Sequence, residues 1–319
     1  MGRAQPVWLL PRRLLAGLLA VAVGSSAAAQ TLYKYRGANG EWIFADRPPA
    51  DGVVDEVRHL GAGKADAEVR VMANDSAKYV SFVAYNPIHA PVQLKLRFKS
   101  IRGLDEPNPT ERLTWVLPPS SRTDLLSLRK NVAVLASSIS YEFEYMVGDP
   151  AAQPVMGTLY RVPFAVASNF PVTQAFPDTI THTTRDSRFA VDIAMPIGTD
   201  VFAARNGIVF SVSSNNFKSG TDLSADGPRA NIVQILHDDG TYAIYAHLNW
   251  NSIRVKAGDY VTRGQYIADS GNTGFSSGPH LHFAVLRNAG MNIVSVPLTF
   301  EGANESAVRP ATGQVLFAY

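Results

Sequence analysis

Apolar and polar residues alternate along several stretches between residues 66 and 150. The clearest run places Val92, Leu94, Leu96 and Phe98 on one face of an extended segment. A period of two is typical of strands with one buried face. Further segments with this pattern are residues 69–72, 79–85, 113–117 and 139–145. Because Pro, Asn and Gly separate these runs, we predict a β-sandwich-like domain over residues 66–150.

The segment before this domain has the pattern of a small hairpin. Tyr33 and Tyr35 alternate with polar residues before an Asn39-Gly40 turn, and the aromatic alternation resumes after the turn. We assign residues 30–62 to a small N-terminal β-hairpin domain, and the small residues at 61–67 predict a linker. The segment resembles a small domain of unknown function at the front of Gram-negative periplasmic proteins.

Residues 155–319 are again rich in strand patterns and contain nearly all the informative polar residues. Asn206-Gly207 predicts a tight turn between two strand-like runs. A long polar stretch at 215–229 joins two further runs, and we place it at the rim of a groove. The pattern therefore predicts a mainly β chain, with no long amphipathic helix.

The first 29 residues read as an export signal. Arg12 and Arg13 precede an apolar run from Leu14 to Val23, and Ala27-Ala28-Ala29 offers a cleavage site. The apolar run is too short to cross a bilayer as a helix. We predict that residues 1–29 are a signal peptide and that the mature protein is periplasmic or secreted, without a membrane span.

Composition narrows the function classes. The formal net charge is +2, and three basic residues lie in the predicted signal, so the remaining chain is nearly neutral. Such a chain lacks the global positive field that nucleic-acid binding requires. The sequence contains no cysteine, which excludes disulfides, thiol nucleophiles and Cys-ligated metals. Any metal would have to be held by His, Asp or Glu.

The segment Gly271–Phe283 carries the sharpest chemical signal. Successive side chains of a strand point to opposite faces, so His280 and His282 share one face, about 6–7 Å apart. Leu281 anchors the strand on the other face. Two half-buried structural histidines would give the same pattern, so the spacing by itself leaves both interpretations open.

Two further polar residues interrupt apolar segments. Asp192 lies between Val191 and Ile193, and burying a carboxylate costs free energy unless it is paired or binds a metal. It is either a metal ligand or part of a structural salt bridge. His247 follows Tyr245 by two positions, and we expect both to lie on one strand face.

These segments occur in a recognisable order. The chain contains D-I-A-M-P-I-G-T-D-V-F-A-A-R-N-G-I-V, then Y-A-H-L, then V-K-A-G-D-Y-V-T-R-G-Q and finally S-G-N-T-G-F-S-S-G-P-H-L-H-F. Together they resemble the LytM/lysostaphin-type zinc metallopeptidases, the glycyl-glycine endopeptidase family M23. The resemblance covers about residues 180–290. It implies an antiparallel β-sheet peptidase domain of the LytM-like, duplicated hybrid motif type.

The resemblance implies a Zn²⁺ cofactor and a role for each matching residue. Asp192 and His282 become zinc ligands, and His247 and His280 become catalytic histidines that are not ligands. The first ligand of the family is commonly the histidine of H-x-G-x-D, but this chain has Arg188 four residues before the aspartate. We assign the role to His182, ten residues before the aspartate, with Asp186 as the substitute.

The implied activity is hydrolysis of peptide cross-links in bacterial peptidoglycan. The implied partners are peptidoglycan stem peptides, whose carboxylates Arg188, Arg205 or Arg229 would recognise, and other cell-wall enzymes. An exporting Gram-negative host favours D-alanyl–diaminopimelate cross-links over glycine bridges. The alternative is a catalytically inactive LytM domain that activates a cell-wall amidase, and the displaced His182 keeps it open.

Overall fold

A computed structural model describes residues 30–36, 42–45, 53–60, 68–105, 112–131, 133–134, 137–178 and 180–319. The predicted signal peptide, the Asn39-Gly40 turn and the predicted linker at 61–67 lie outside these residues. The described chain is nearly all β and its sheets are mainly antiparallel, which confirms the predicted fold class. Within this part of the chain, none of the helices has the length and apolar character needed to span a membrane.

The first strands form a small antiparallel sheet. They are β1 (Gln30–Arg36), β2 (Trp42–Ala45) and β3 (Val54–Leu60). The order is β2-β1-β3, and Tyr35 pairs with Ile43, so the two aromatic segments of the predicted hairpin do pair. The third strand is an addition that the sequence pattern did not indicate.

The next strands form two three-stranded antiparallel sheets. They are β4 (Arg70–Asp75), β5 (Tyr79–Asn86), β6 (Val92–Arg102), β7 (Arg112–Leu117), β8 (Ser121–Arg129) and β9 (Ser138–Val147). The orders are β4-β5-β8 and β7-β6-β9. The sheets share one core, in which the Phe82 ring lies 5.2 Å from the Phe98 ring and 5.1 Å from the Tyr141 ring, both edge-on. This arrangement confirms a β-sandwich-like unit.

The remaining strands are short and most join one large sheet. They are β10 (Leu159–Tyr160), β11 (Asn169–Gln174), β12 (Val191–Ile193), β13 (Asp200–Phe202), β14 (Gly207–Ser213), β15 (Ser219–Gly220), β16 (Ile232–Leu236), β17 (Tyr242–Ala246), β18 (Tyr260–Val261), β19 (Tyr266–Asp269), β20 (Gly274–Phe275), β21 (Leu281–Asn288), β22 (Ile293–Ser295), β23 (Thr299–Glu301), β24 (Ala307–Val308) and β25 (Val315–Phe317). Three short helical segments accompany them: α1 (Leu223–Asp226) and the 3-10 turns Gly227–Arg229 and Ala303–Glu305.

The nine-stranded sheet has the order β18-β14-β16-β17-β21-β12-β11-β25, with β22 also paired to β21. All of its pairings are antiparallel. Outside it, β10 pairs with β23 and β15 pairs with β20, both in parallel. The long strand β21 lies at the centre and connects the strands that carry the candidate site residues.

The two faces of this sheet have different partners because successive side chains alternate. On one face Tyr245 and Phe283 are fully buried in the core of the C-terminal half. On the other face Ala284 and Leu286 pack into the core of the sandwich. His282 lies on that second face, two residues before Ala284. The candidate site and the sandwich therefore occupy the same face of one sheet.

A buried polar contact fixes the sandwich to the sheet. The Asn288 side chain is fully buried and donates hydrogen bonds to Gln93 Oε1 and to the Gly148 carbonyl, each 2.9 Å long. Gln93 Oε1 also accepts a 2.9 Å hydrogen bond from the Met291 amide. Buried amides that are satisfied in this way favour one packing arrangement over others.

Candidate active site

The pairing of β12 with β21 brings the central carboxylate and imidazole together. Asp192 is the register partner of His282, so both side chains leave the same face of the sheet. His282 Nδ1 donates a 2.9 Å hydrogen bond to Asp192 Oδ1. Asp192 is 8% exposed, between two apolar residues that point into the opposite core. Because side chains alternate along a strand, Asp192 faces the site while its two apolar neighbours face the core.

His182 reaches this pair from the loop between β11 and β12. Its Nε2 lies 3.2 Å from Asp192 Oδ2, and its ring centroid lies 5.1 Å from that of His282. The residue is 3% exposed, and neither ring nitrogen has a hydrogen-bond partner of acceptable geometry among the described residues. A buried imidazole without hydrogen bonds is costly unless another group satisfies it.

The electrostatics of Asp192 keep its carboxylate ionised. Burial raises the pKa of this carboxyl, but the polar and charge interactions with the neighbouring imidazoles of His182 and His282 outweigh burial and hold the pKa well below its usual range. An ionised carboxylate between two imidazoles is a donor set of the kind that zinc prefers.

The donor atoms of His182, Asp192 and His282 lie within 4.8 Å of one another, and no other such group occurs in the described chain. The orphaned nitrogens of His182 and the ionised Asp192 both fit a bound cation. Asp186, the substitute considered from the sequence, does not belong to this group. Two imidazoles and one carboxylate suit Zn²⁺, the predicted cofactor, and leave a fourth tetrahedral position open.

His247 enters the site through a change of backbone direction. Strand β17 ends at Ala246, and His247 has a φ of +62°. Its ring lies 5.9 Å from that of His282, whereas Tyr245 is buried on the opposite face of the sheet. The prediction that Tyr245 and His247 share a strand face is therefore wrong, because the left-handed residue interrupts the alternation.

A backbone carbonyl orients the ring of His247. Its Nδ1–H donates a 2.7 Å hydrogen bond to the Thr273 carbonyl, so Nε2 is the nitrogen that is free to act. Burial, followed by repulsion from His280 and His282, lowers the pKa of His247 to about 3. The ring is therefore neutral at neutral pH, and its Nε2 is unprotonated.

His280 stands beside His247 and is held in a similar way. It immediately precedes β21, and its Nδ1–H donates a 2.8 Å hydrogen bond to the Gly278 carbonyl. The ring centroids of His280 and His247 are 4.5 Å apart, and His280 Nε2 lies 3.9 Å from Asp192 Oδ1. The structure thus brings all five predicted residues together, with two imidazoles beside the metal group.

The glycine-rich segment before β21 needs its glycines for close packing. A Cβ on Gly271 would lie 2.6 Å from the Asn249 backbone, and one on Gly274, which has a φ of +81°, would lie 2.7 Å from Ala230. This close approach places the Thr273 carbonyl where His247 meets it. The sequence signalled the turns but gave no indication of this acceptor, because every residue has a carbonyl.

The long polar stretch at 215–229 packs against the same segment. Its strand β15 pairs with β20, and the Ser276 amide donates a 2.9 Å hydrogen bond to the Gly220 carbonyl. Ser276 Oγ in turn lies 3.3 Å from His280 Nδ1. This stretch supports the wall of the site that carries His280.

The three arginines considered from the sequence have different partners. Arg205 forms ion pairs with Asp238 and Asp239, and Arg229 lies 3.6 Å from Asp226. Arg188 is exposed, and its guanidinium lies over two aromatic rings, those of Phe176 at 5.3 Å and Phe189 at 5.6 Å. Of the three, Arg188 is the one without a carboxylate partner among the described residues.

Comparison with known proteins identifies two regions of the chain. Residues 187–293 match peptidase family M23, and residues 18–68 match a domain of unknown function, DUF4124. The M23 match contains Asp192, His247, His280 and His282, and it begins after His182. Both matches confirm the resemblances inferred from the sequence.

Individual relatives agree with the family match. The chain is 36% identical over 105 residues to lysostaphin of Staphylococcus staphylolyticus, and 38% identical over 95 residues to the peptidoglycan DD-endopeptidase ShyA of Vibrio cholerae. These alignments cover 33% and 30% of this chain but only 19% of each relative.

Among solved structures, the catalytic domain of the M23 protein EnpA from Enterococcus faecalis is 30% identical, over 42% of this chain and 92% of that one. Its TM-score is 0.32, so the assignment rests on the sequence matches rather than on this superposition. The sequence matches show that residues 187–293 form an M23 peptidase domain, homologous to lysostaphin and ShyA.

Proposed function

We propose that the protein is a zinc-dependent endopeptidase that hydrolyses peptide cross-links of bacterial peptidoglycan. In this proposal His182, Asp192 and His282 bind the zinc, and His247 and His280 are catalytic. The observation that carries it is that the donor atoms of these three ligands lie within 4.8 Å of one another. The ring centroid of His247 lies 5.9 Å from that of His282 and 4.5 Å from that of His280.

When bound, Zn²⁺ supplies a Lewis acid that lowers the pKa of water to about 7 and polarises a carbonyl. The protein's own residues then handle protons. His247 and His280 both have Nδ1 committed to backbone carbonyls, so Nε2 of a neutral ring accepts a proton from the attacking water. The resulting imidazolium delivers it to the leaving amine and stabilises the oxyanion, and the pair shares these roles.

The proposed substrate is the cross-linked stem peptide. The relatives are named as a peptidoglycan DD-endopeptidase and a glycyl-glycine endopeptidase. A cross-link between D-alanine and diaminopimelate presents carboxylates near the scissile bond. Arg188 lies in the segment between His182 and Asp192, has no carboxylate partner among the described residues, and would bind one of them.

The proposed layout follows from this function. A signal peptide over residues 1–29 exports the chain, so the mature protein acts outside the cytoplasm, in the periplasm or after secretion. Residues 30–62 form a hairpin domain, residues 66–150 the sandwich, and residues 155–319 the peptidase domain. Other cell-wall enzymes are the proposed protein partners.

Metal analysis and digestion of peptidoglycan test the proposal. We expect about one zinc per chain, release of cross-linked peptides from purified peptidoglycan, and loss of this activity with a chelator and its return with Zn²⁺. His282→Ala is the matched inactive variant. A chain that binds no zinc, releases no peptides and stimulates a purified cell-wall amidase would instead be an inactive LytM-domain regulator.

A further inference from the structure

Gln174 lies in the same row of the sheet as the central site residues. On neighbouring strands, Gln174 of β11 is the register partner of Asp192 in β12, which is the partner of His282 in β21. The pairing of β11 with β12 is irregular between Val172 and Gln174, and this irregularity brings Gln174 rather than Thr173 opposite Asp192. Directly opposed residues of antiparallel strands point to the same face. Gln174 is 4% exposed, so a polar side chain is buried beside the metal group.

The oxygen of Gln174 holds the residue before His182. Gln174 Oε1 accepts hydrogen bonds from the Thr181 amide at 3.2 Å and from Thr181 Oγ1 at 3.1 Å. Since a backbone N–H can only donate, the side-chain oxygen must face Thr181, which settles the orientation of the amide. The Thr181 carbonyl in turn accepts a 2.9 Å hydrogen bond from the Thr183 amide. The backbone is therefore tied on both sides of His182.

His182 depends on this tie more than the other site histidines do. His247 and His280 are oriented by Nδ1–H bonds to carbonyls, and His282 by a bond to Asp192. His182 has no such bond: its Nε2 lies 3.2 Å from Asp192 Oδ2, but neither ring nitrogen makes a hydrogen bond of acceptable geometry among the described residues. Its position is set by its backbone, in a loop with nine residues between His182 and Asp192.

We propose that Gln174 is a positioning residue for the metal site, which holds His182 in place by accepting both hydrogen bonds from Thr181. The inference rests on the proposed role of His182 as a ligand. It also explains why a costly amide is kept here: Gln174 Nε2 is buried and has no partner among the described residues. The oxygen, rather than the nitrogen, is the part of the side chain that acts.

The test compares the zinc affinity of full-length variants by competition with a chromophoric chelator. Gln174→Met keeps the length of the side chain but removes the acceptor, and we expect zinc binding about 10–100-fold weaker, the usual effect of losing a group that orients a ligand. Gln174→Glu keeps an acceptor for Thr181 and should bind zinc at least tenfold more tightly than Gln174→Met. Equal affinity in Gln174→Met and the unmodified chain would overturn the proposal.

Gln93→Met is the matched control. Gln93 is also buried and its Oε1 also accepts two hydrogen bonds, but it belongs to the sandwich and lies at the interface with the large sheet. We expect this variant to lose thermal stability while its zinc affinity per folded molecule is unchanged. The visible absorption of Co²⁺ bound in place of zinc is a second measurement, and only Gln174→Met should alter it. A Co²⁺ spectrum altered equally in both variants would count against the proposal.

Two further variants keep the test decisive if Gln174→Met does not fold. Thr181→Val removes one of the two hydrogen bonds from an exposed position and should weaken zinc binding about fivefold, whereas Thr181→Ser should not. Identical affinity in these two would refute the proposal.

If His182→Ala left zinc binding unchanged, the ligand assignment itself would fail. If His182→Ala abolished binding and Gln174→Met did not, the positioning role alone would fail.

Discussion

At the scale of single residues, the five site side chains differ in what holds them. His247 and His280 each donate a hydrogen bond from Nδ1–H to a backbone carbonyl. His182, Asp192 and His282 instead contact one another. A ring held by the backbone keeps its orientation whether or not a cation is present. This difference separates the residues that would move protons from those that would bind metal.

Alanine substitutions test this separation. We expect His247→Ala and His280→Ala each to retain about one zinc per chain and to lose about 10²–10⁴-fold in kcat, the usual contribution of a general acid or base. His182→Ala and Asp192→Ala should lose the zinc itself. Zinc content by mass spectrometry and turnover on peptidoglycan measure the two effects. Normal turnover in both zinc-loaded histidine variants would show that the catalytic assignment is wrong.

Of the three arginines considered from the sequence, Arg188 is the one without a carboxylate partner among the described residues. If it binds a substrate carboxylate, Arg188→Gln should raise KM about tenfold with little change in kcat, because a hydrogen bond to a charged group contributes about 1.5–3 kcal/mol. Arg229→Gln is the control, since Arg229 already lies beside Asp226. Steady-state kinetics on soluble cross-linked stem peptides separate the two parameters. Equal KM values in the two variants would remove Arg188 from the binding site.

The sequence predicted those residues whose placement follows from strand alternation. His280 and His282 are two positions apart at the start of a strand, and Asp192 interrupts an apolar strand, so their common face was predictable. The face of His247 was not, because a positive φ in a non-glycine residue has no sequence signature. Gln174 was missed because its role depends on the register of β11 against β12, which a pattern of polar residues does not specify.

At the scale of elements, strands with one clean apolar face were predicted and weakly patterned strands were missed. In β6 the alternating residues Leu94 and Leu96 are fully buried. In β8 only Leu128 is buried, and its pairing with β5 is interrupted by an irregularity between Phe82 and Val83. A strand that buries one side chain in nine lacks the periodicity on which sequence prediction relies.

The turn between β16 and β17 contains a network of charged and polar groups, in which Asp238 is exposed and Asp239 and His237 are largely buried. Arg205 binds the carboxylates of Asp238 and Asp239, and Asp239 also accepts a hydrogen bond from the Val155 amide at 3.2 Å. His237 is 3% exposed in the same turn and donates Nδ1–H to the Asn206 carbonyl at 2.8 Å. The network ties the segment that leaves the sandwich to the peptidase sheet.

His237 gives this element a pH dependence. Burial lowers the pKa of His237 from 6.5 to about 4 in the folded state. Between these two pH values the unfolded chain binds a proton at His237 that the folded chain does not. Its contribution is present above pH 6.5 and is lost as the pH falls from 6.5 to 4, by an amount on the order of 3 kcal/mol. We expect His237→Gln to show a shallower fall in the free energy of unfolding over this range. Urea titrations at pH 7, 5.5 and 4.5 measure the free energy of unfolding of both proteins. An equal decrease with falling pH in the variant and the unmodified chain would contradict this prediction.

At the scale of the whole molecule, the sandwich and the large sheet share one hydrophobic core. Phe210, Tyr242 and Leu286 of the sheet are buried in the same cluster as Phe82 and Leu94 of the sandwich. The sequence did not reveal this, because a strand buried on both faces reads as a continuous apolar run rather than as an alternation. The apolar run from residue 281 to 286 is such a case, with His282 as its one polar position.

The shared core predicts that residues 155–319 are not stable as a separate chain. Removing the sandwich would expose Phe210, Tyr242 and Leu286 to water, and each large apolar side chain loses about 1.5–3 kcal/mol when its burial is lost. We expect the truncated chain to bind a hydrophobic dye, to self-associate and to melt at a lower temperature than the full chain.

One substitution, made in both the full and the truncated chain, makes the test specific to this interface. Leu286→Gln should lower the free energy of unfolding of the full chain by about 2–4 kcal/mol, because it buries an unsatisfied amide and leaves a cavity. In the truncated chain the same residue faces water, so the substitution should reduce self-association. Measurements of melting temperature and of sedimentation would compare all four chains. If the truncated chain were monomeric and as stable as the full chain, the sandwich would be a separate module that rests on the sheet without sharing its core.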